Sequence, residues 1–201
     1  MVSKIRVKNS TTFLVLSLVI LAGMVASRTV SFNGNCGAIN TCAEGRPFSF
    51  SGSAKIADKT IPSLSGAGSA TLKDVIVQGA AKHSGSFKAE GGSFGSLKVS
   101  GAVTLSETSV AGKTKISGCL DGKKTTFAAI EIASNKSVLT ECTAASIAVK
   151  ASSWPIVSPI LELDGTTVLG DITFEGTEGQ VIMRNGAVVK GNISNGVIVQ
   201  G

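Results

Sequence analysis

Short stretches of alternating apolar and polar residues recur along the second two-thirds of this chain. They run over 74–79 (DVIVQG), 96–101 (SLKVSG), 129–133 (AIEIA), 146–150 (SIAVK), 160–165 (ILELDG), 181–186 (VIMRNG) and 196–201 (GVIVQG). Alternation places Leu97 with Val99, Ile130 with Ile132, and Ile147 with Val149 on one face of each stretch, as a half-buried strand requires. The central positions Leu97, Ile130, Ile147, Leu161, Ile182 and Ile198, with Thr114 filling the gap after Leu97, return about every 17 residues. That interval is too long for one strand and too short for a strand–helix–strand crossover, which needs about 30 residues. It predicts three short strands per coil, stacked at about 4.8 Å, the ordinary spacing of hydrogen-bonded strands. The predicted fold is therefore all-β: a single-stranded parallel β-helix (β-solenoid) of about 17 residues per coil over 66–201.

Glycine-containing corners repeat with the strands. Val168-Leu169-Gly170-Asp171-Ile172 and Val189-Lys190-Gly191-Asn192-Ile193 match at an offset of 21, and Val110-Ala111-Gly112-Lys113-Thr114 resembles both. Residues 152–159 (SSWPIVSP) interrupt the pattern; Pro155 and Pro159 cannot donate ladder hydrogen bonds and predict a bulged loop, with Trp154 covering apolar surface at its side; a binding residue on the loop is the competing reading of Trp154. Residues 28–65 lack a clear period and read as an irregular leader, although Phe48 and Phe50 alternate with Ser49 and Ser51 as one half-buried strand would. Composition agrees with stacked strands and tight corners: 24 Gly, only 4 Pro, and 16% charged residues in 201.

The first 27 residues form a separate object. Lys4, Arg6 and Lys8 precede an uncharged, mostly apolar run from Thr11 to Ser27, and Val25-Ala26-Ser27 offers small residues for cleavage. This predicts an export signal cut near Ser27; the competing reading is an uncleaved helical membrane anchor, for which the run is near the lower length limit. Half of the +6 formal charge belongs to this segment. The other lysines are scattered without an aromatic platform, so nucleic-acid binding is not expected.

Export would permit disulfides. Cys36 and Cys42 lie close together in a Gly- and Asn-containing loop, where a local bridge closes easily; Cys119 and Cys142 form a second candidate pair. Two small buried residues are the alternative for the second pair. No C-x-x-C occurs and His83 is the only histidine, so no metal site is expected. No phosphate loop or nucleophile elbow occurs either. His83 sits in AAKHSGSF without the six-residue period of a hexapeptide-repeat acyltransferase, and a catalytic base there is not expected. The acids Glu90, Glu107, Asp121, Glu131, Glu141, Glu162, Asp164, Asp171, Glu175 and Glu178 are spread out; Asp164 and Asp171 read as solvated corner residues. The chain is accordingly not read as an enzyme, and no cofactor is expected.

At TVLGDITFEGTEGQVIMRNGAVVKGNISNGVIVQG the chain resembles the bactofilin family of polymer-forming bacterial proteins. The resemblance is strongest over 164–201 and extends back to about 96. It implies a right-handed, three-sided β-helix and nucleotide-free assembly into filaments through the helix ends, often at a membrane. Bactofilins are cytoplasmic, whereas this chain carries an export-type signal. The expected function is an exported, self-assembling structural protein of the bacterial cell envelope, with membrane or cell-wall contact. The alternative is a secreted or surface binding module of the adhesin or carbohydrate-binding class, using one flat side. The strand pattern reaches 196–201 without a helix, Pro or charged tail to blunt it, which points to Val197, Ile198 and Val199 as assembly residues. Self-capping by the leader or by a bend of the last strand is the competing arrangement at that end.

Overall fold

The computed structural model describes residues 30–33, 46–151 and 157–201. The Met1–Ser27 segment, Cys36, Cys42, Trp154 and Pro155 lie outside the described residues. Every strand in the described region pairs in parallel, and the chain winds into a β-solenoid of about 9 turns with about 17 residues per coil. At about 4.8 Å per coil the rod is about 43 Å long.

Each coil has three strand segments, and the inward side chain at each register position forms a ladder. On the first face Leu97 pairs with Thr114, Thr114 with Ile130, Ile130 with Ile147, Ile147 with Ile172, and Ile172 with Ile193. On the second face Val103 pairs with Leu120, Leu120 with Ser137, Ser137 with Leu161, Leu161 with Val181, and Val181 with Ile198. On the third face Val110 pairs with Phe127, Phe127 with Ala144, Ala144 with Val168, and Val168 with Val189. The predicted ladder thus holds from Leu97 to Ile147 and then departs from the structure. Leu161 and Ile198 belong to the second face, and Ile182 pairs with Glu162 and points outward. The near-equal spacing of the two sets made one ladder out of two.

The offset-21 repeat is an actual register: Val168 lies over Val189 and Ile172 over Ile193. The coil also begins earlier than the pattern indicated. The strand Phe48–Ala57 pairs residue for residue with 64–73, and Val30–Asn33 pairs with 48–51, so the leader is regular from residue 48. Small and polar residues hide the period there: Gly66 occupies an inward position because the Phe50 ring fills its space.

Three corners turn the chain, each by its own device. The first stacks Gly52, Gly68, Gly85, Gly101 and Gly118, all at φ between 100° and 137°; a Cβ on Gly101 would lie 2.1 Å from the Gly85 carbonyl oxygen. The second places Asp58, Asp74, Glu107, Lys124, Glu141 and Asn185 in the left-handed region, with glycines at 91 and 165. The N–H groups of Asp58, Glu107, Lys124 and Glu141 each donate to a carbonyl of the next coil, which holds a strained residue in place. The third is the predicted V-x-G corner, where Gly112 packs directly on the carbonyl of Gly95 and Gly191 on Gly170.

After residue 150 the coils lengthen. The strand Lys136–Thr140 pairs with Ile160–Asp164, a longer step than the one that pairs Leu120 with Ser137; residues 152–156 of the predicted loop lie outside the described residues.

Candidate functional site

The last described coil exposes its core. Ile198 continues the second-face ladder yet is 50% exposed, because among the described residues its strand, Gly196–Gln200, has a partner on one side only. Val189 and Ile193 end the other two ladders, and they pack only partly against the core. Together with Met183, Gly196 and Val197 they line a depression of about 550 Å³ at the rod's end. The structure separates the three predicted assembly residues: Ile198 is on the core ladder, while Val197 and Val199 pair with Gln180 and Ile182 on the outer side of the strand.

Cys119 and Cys142 are free thiols, and the predicted pair is not formed. They occupy different corners. Cys119 follows the first-corner Gly118 and is exposed, whereas Cys142 is buried at the second corner. There Cys142 stands in a column with Thr108, Thr125 and Thr166. Its Sγ accepts the Thr125 N–H at 3.4 Å and donates to the Thr140 carbonyl at 3.2 Å, while its own N–H donates to Thr166 Oγ1 at 3.0 Å. Thr125 and Thr166 likewise donate to carbonyls two residues back, so Cys142 does a threonine's work. Burial raises its pKa and keeps it a neutral thiol.

His83 is an inward residue. Its ring stacks 5.6 Å from Phe50, lies 5.6 Å from Phe87, and its Nε2 is 3.2 Å from the Gly68 carbonyl. Burial lowers its pKa and keeps it neutral. Asp164 and Asp171 do not meet. Asp164 accepts from Asn185 Nδ2 at 2.6 Å, and Asp171 accepts from the Asn192 N–H at 2.8 Å at another corner.

Charged side chains on the flanks form two nodes that the linear sequence did not reveal. Glu131 receives Lys113 at 2.5 Å, Lys115 at 2.7 Å and Lys150 at 3.7 Å, and Lys150 reaches on to Glu175 at 2.9 Å. Hydrogen bonds from Lys113 and Lys115 lower the Glu131 pKa to about 2. Glu162 receives Arg184 at 2.6 Å and Lys136 at 3.2 Å. Each of these pairs joins adjacent coils, so only the register brings the partners together. Among the described residues no group of three His, Cys, Asp or Glu side chains is placed to hold a metal ion.

Comparison with protein-family models, with curated proteins and with solved structures gives no match. The class that the geometry defines is a parallel β-solenoid with stacked glycine corners and an exposed apolar end.

Proposed function

We propose that this chain is an exported, bactofilin-like structural rod of the cell envelope that associates end to end with further copies of itself. The observation that carries the reading is the last described coil, where, among the described residues, Val189, Ile193 and Ile198 end three core ladders in an accessible depression. A second copy suits this surface because it presents the same ladder spacing and the same backbone pairing that join the coils within one rod. Stacking would pair the free strand edges and bury the ladder ends together. The basic residues Lys4, Arg6 and Lys8 before the apolar Thr11–Ser27 run support export, with residues 11–27 as an anchor if cleavage does not occur. No cofactor and no nucleic acid enter this reading.

Light scattering across a concentration series, followed by electron microscopy, tests the assembly. Wild-type protein should form concentration-dependent rods. Ile198→Lys should abolish them while keeping the far-ultraviolet β signature, because the substitution places a charge at the junction and spares the earlier coils. Wild-type protein that stays monomeric at high concentration overturns the reading. N-terminal sequencing of native material separates a cleaved signal from an anchor.

A further inference from the structure

The outer side of the first face is chemically sorted along the rod. Lys82, Lys98 and Lys115 stand at one outward register position on successive coils: Lys98 pairs with Lys115, and Lys98 follows Lys82 by the same step that stacks Gly101 on Gly85. Beside them Ser84, Ser100 and Ser117 form a parallel column of exposed hydroxyls, with Ser100 paired to Ser117. The acids of residues 46–118 are Asp58, Asp74, Glu90 and Glu107. Three of them sit in the second corner and Glu90 ends the segment leading into it, so none faces this surface. Among the described residues Lys82 and Lys98 have no ion-pair partner, whereas Lys115 is held by Glu131, which closes the row. Lys82, Lys98, Ser65, Ser84 and Ser100 line a shallow depression of about 270 Å³.

We infer that this face binds a linear acidic polysaccharide of the polyuronate type, laid along the rod axis. Cations repeating at about 4.8 Å meet a polymer that carries one carboxylate per sugar ring, and the hydroxyl column beside them meets the sugar hydroxyls. Like-charged lysines one coil apart repel, and a polyanion relieves that repulsion along its whole length. The outward positions of this face between residues 49 and 117 hold Ser, Ala and Lys. No aromatic ring is available to stack nucleic-acid bases, and no large apolar side chain to enter a lipid surface. The inference does not rest on end-to-end assembly, since the face lies on the side of the rod.

Co-sedimentation and calorimetry of the purified full chain with polygalacturonate test it, with a neutral glucan, DNA and anionic lipid vesicles as comparisons. Polygalacturonate should bind, and rising salt should weaken it. Lys82→Ser with Lys98→Ser should weaken binding by about tenfold; serine already occupies this register position at residues 49 and 65, so the fold is kept. Lys55→Ser with Lys88→Ser removes the same charge from the neighbouring face and should change affinity by less than about twofold. Absence of polygalacturonate binding, or equal losses in the two double variants, overturns the inference. So does DNA, vesicle or neutral-glucan binding as tight as that of polygalacturonate.

Discussion

A threonine in an aliphatic ladder shows how single residues set the stability of this rod. Thr114 is fully buried between Leu97 and Ile130, and its hydroxyl has no hydrogen-bond partner among the described residues. An unpartnered buried hydroxyl costs about 1–3 kcal/mol, so the near-isosteric Thr114→Val should stabilise the protein by about 1 kcal/mol. A rise in the denaturant midpoint at unchanged slope would register it; a fall would mean that the hydroxyl has a role in the native core. Glu131 gives a second test. Its folded pKa of about 2 lies below the ordinary value near 4.5, so the charged form is favoured by folding. That contribution is fully present above pH 4.5 and is lost as pH falls from there toward 2. The thermal midpoint of the wild type should therefore fall more steeply across this window than that of Glu131→Gln. Parallel pH profiles would show that the lysine contacts contribute nothing to stability.

At the scale of the coil, the corners are more constrained than the strands. Gly101 combines a φ of 137° with a carbonyl 2.1 Å from where a Cβ would sit. Gly101→Ala should lower stability by about 1–3 kcal/mol, the cost of a strained backbone before any displacement of the stack, read as a drop in thermal midpoint; a change below about 0.5 kcal/mol would mean the corner yields freely. The V-x-G corners and the strands at 96–101, 129–133 and 146–150 were legible in the sequence because large aliphatic residues mark their inward positions. The strand at Phe48 and Phe50 was legible by its alternation, but the coil it belongs to was not, since a Gly, an Ala and a His replace aliphatic residues in the first-face columns at 66, 81 and 83. Glu131 and Glu162 were not legible as charge nodes, because partners that touch across coils are 16 to 26 residues apart in the chain and depend on register alone.

The whole rod is held by contacts between adjacent coils, so its properties are those of a one-dimensional stack. The strand Gly196–Gln200 was legible in the sequence, but the sequence did not distinguish Ile198 on the ladder from Val197 and Val199 on the flank; only the pairing of Val181 with Ile198 does so. The glycine corner has a further consequence. Because Gly101 and Gly118 are equivalent points on consecutive turns, the chain between them is an interchangeable unit, and the molecule is a measuring stick whose graduations are its glycines. Excising residues 102–118 would join Gly101 to Cys119 in the geometry that Gly118 now has, leaving a folded rod shorter by about 4.8 Å. Removing half that segment would instead turn one face of the ladder into another and collapse the fold. Circular dichroism and small-angle scattering of the two deletions would tell them apart. A chain built this way can change its length only in whole notches, by gain or loss of complete turns, with no redesign of the core.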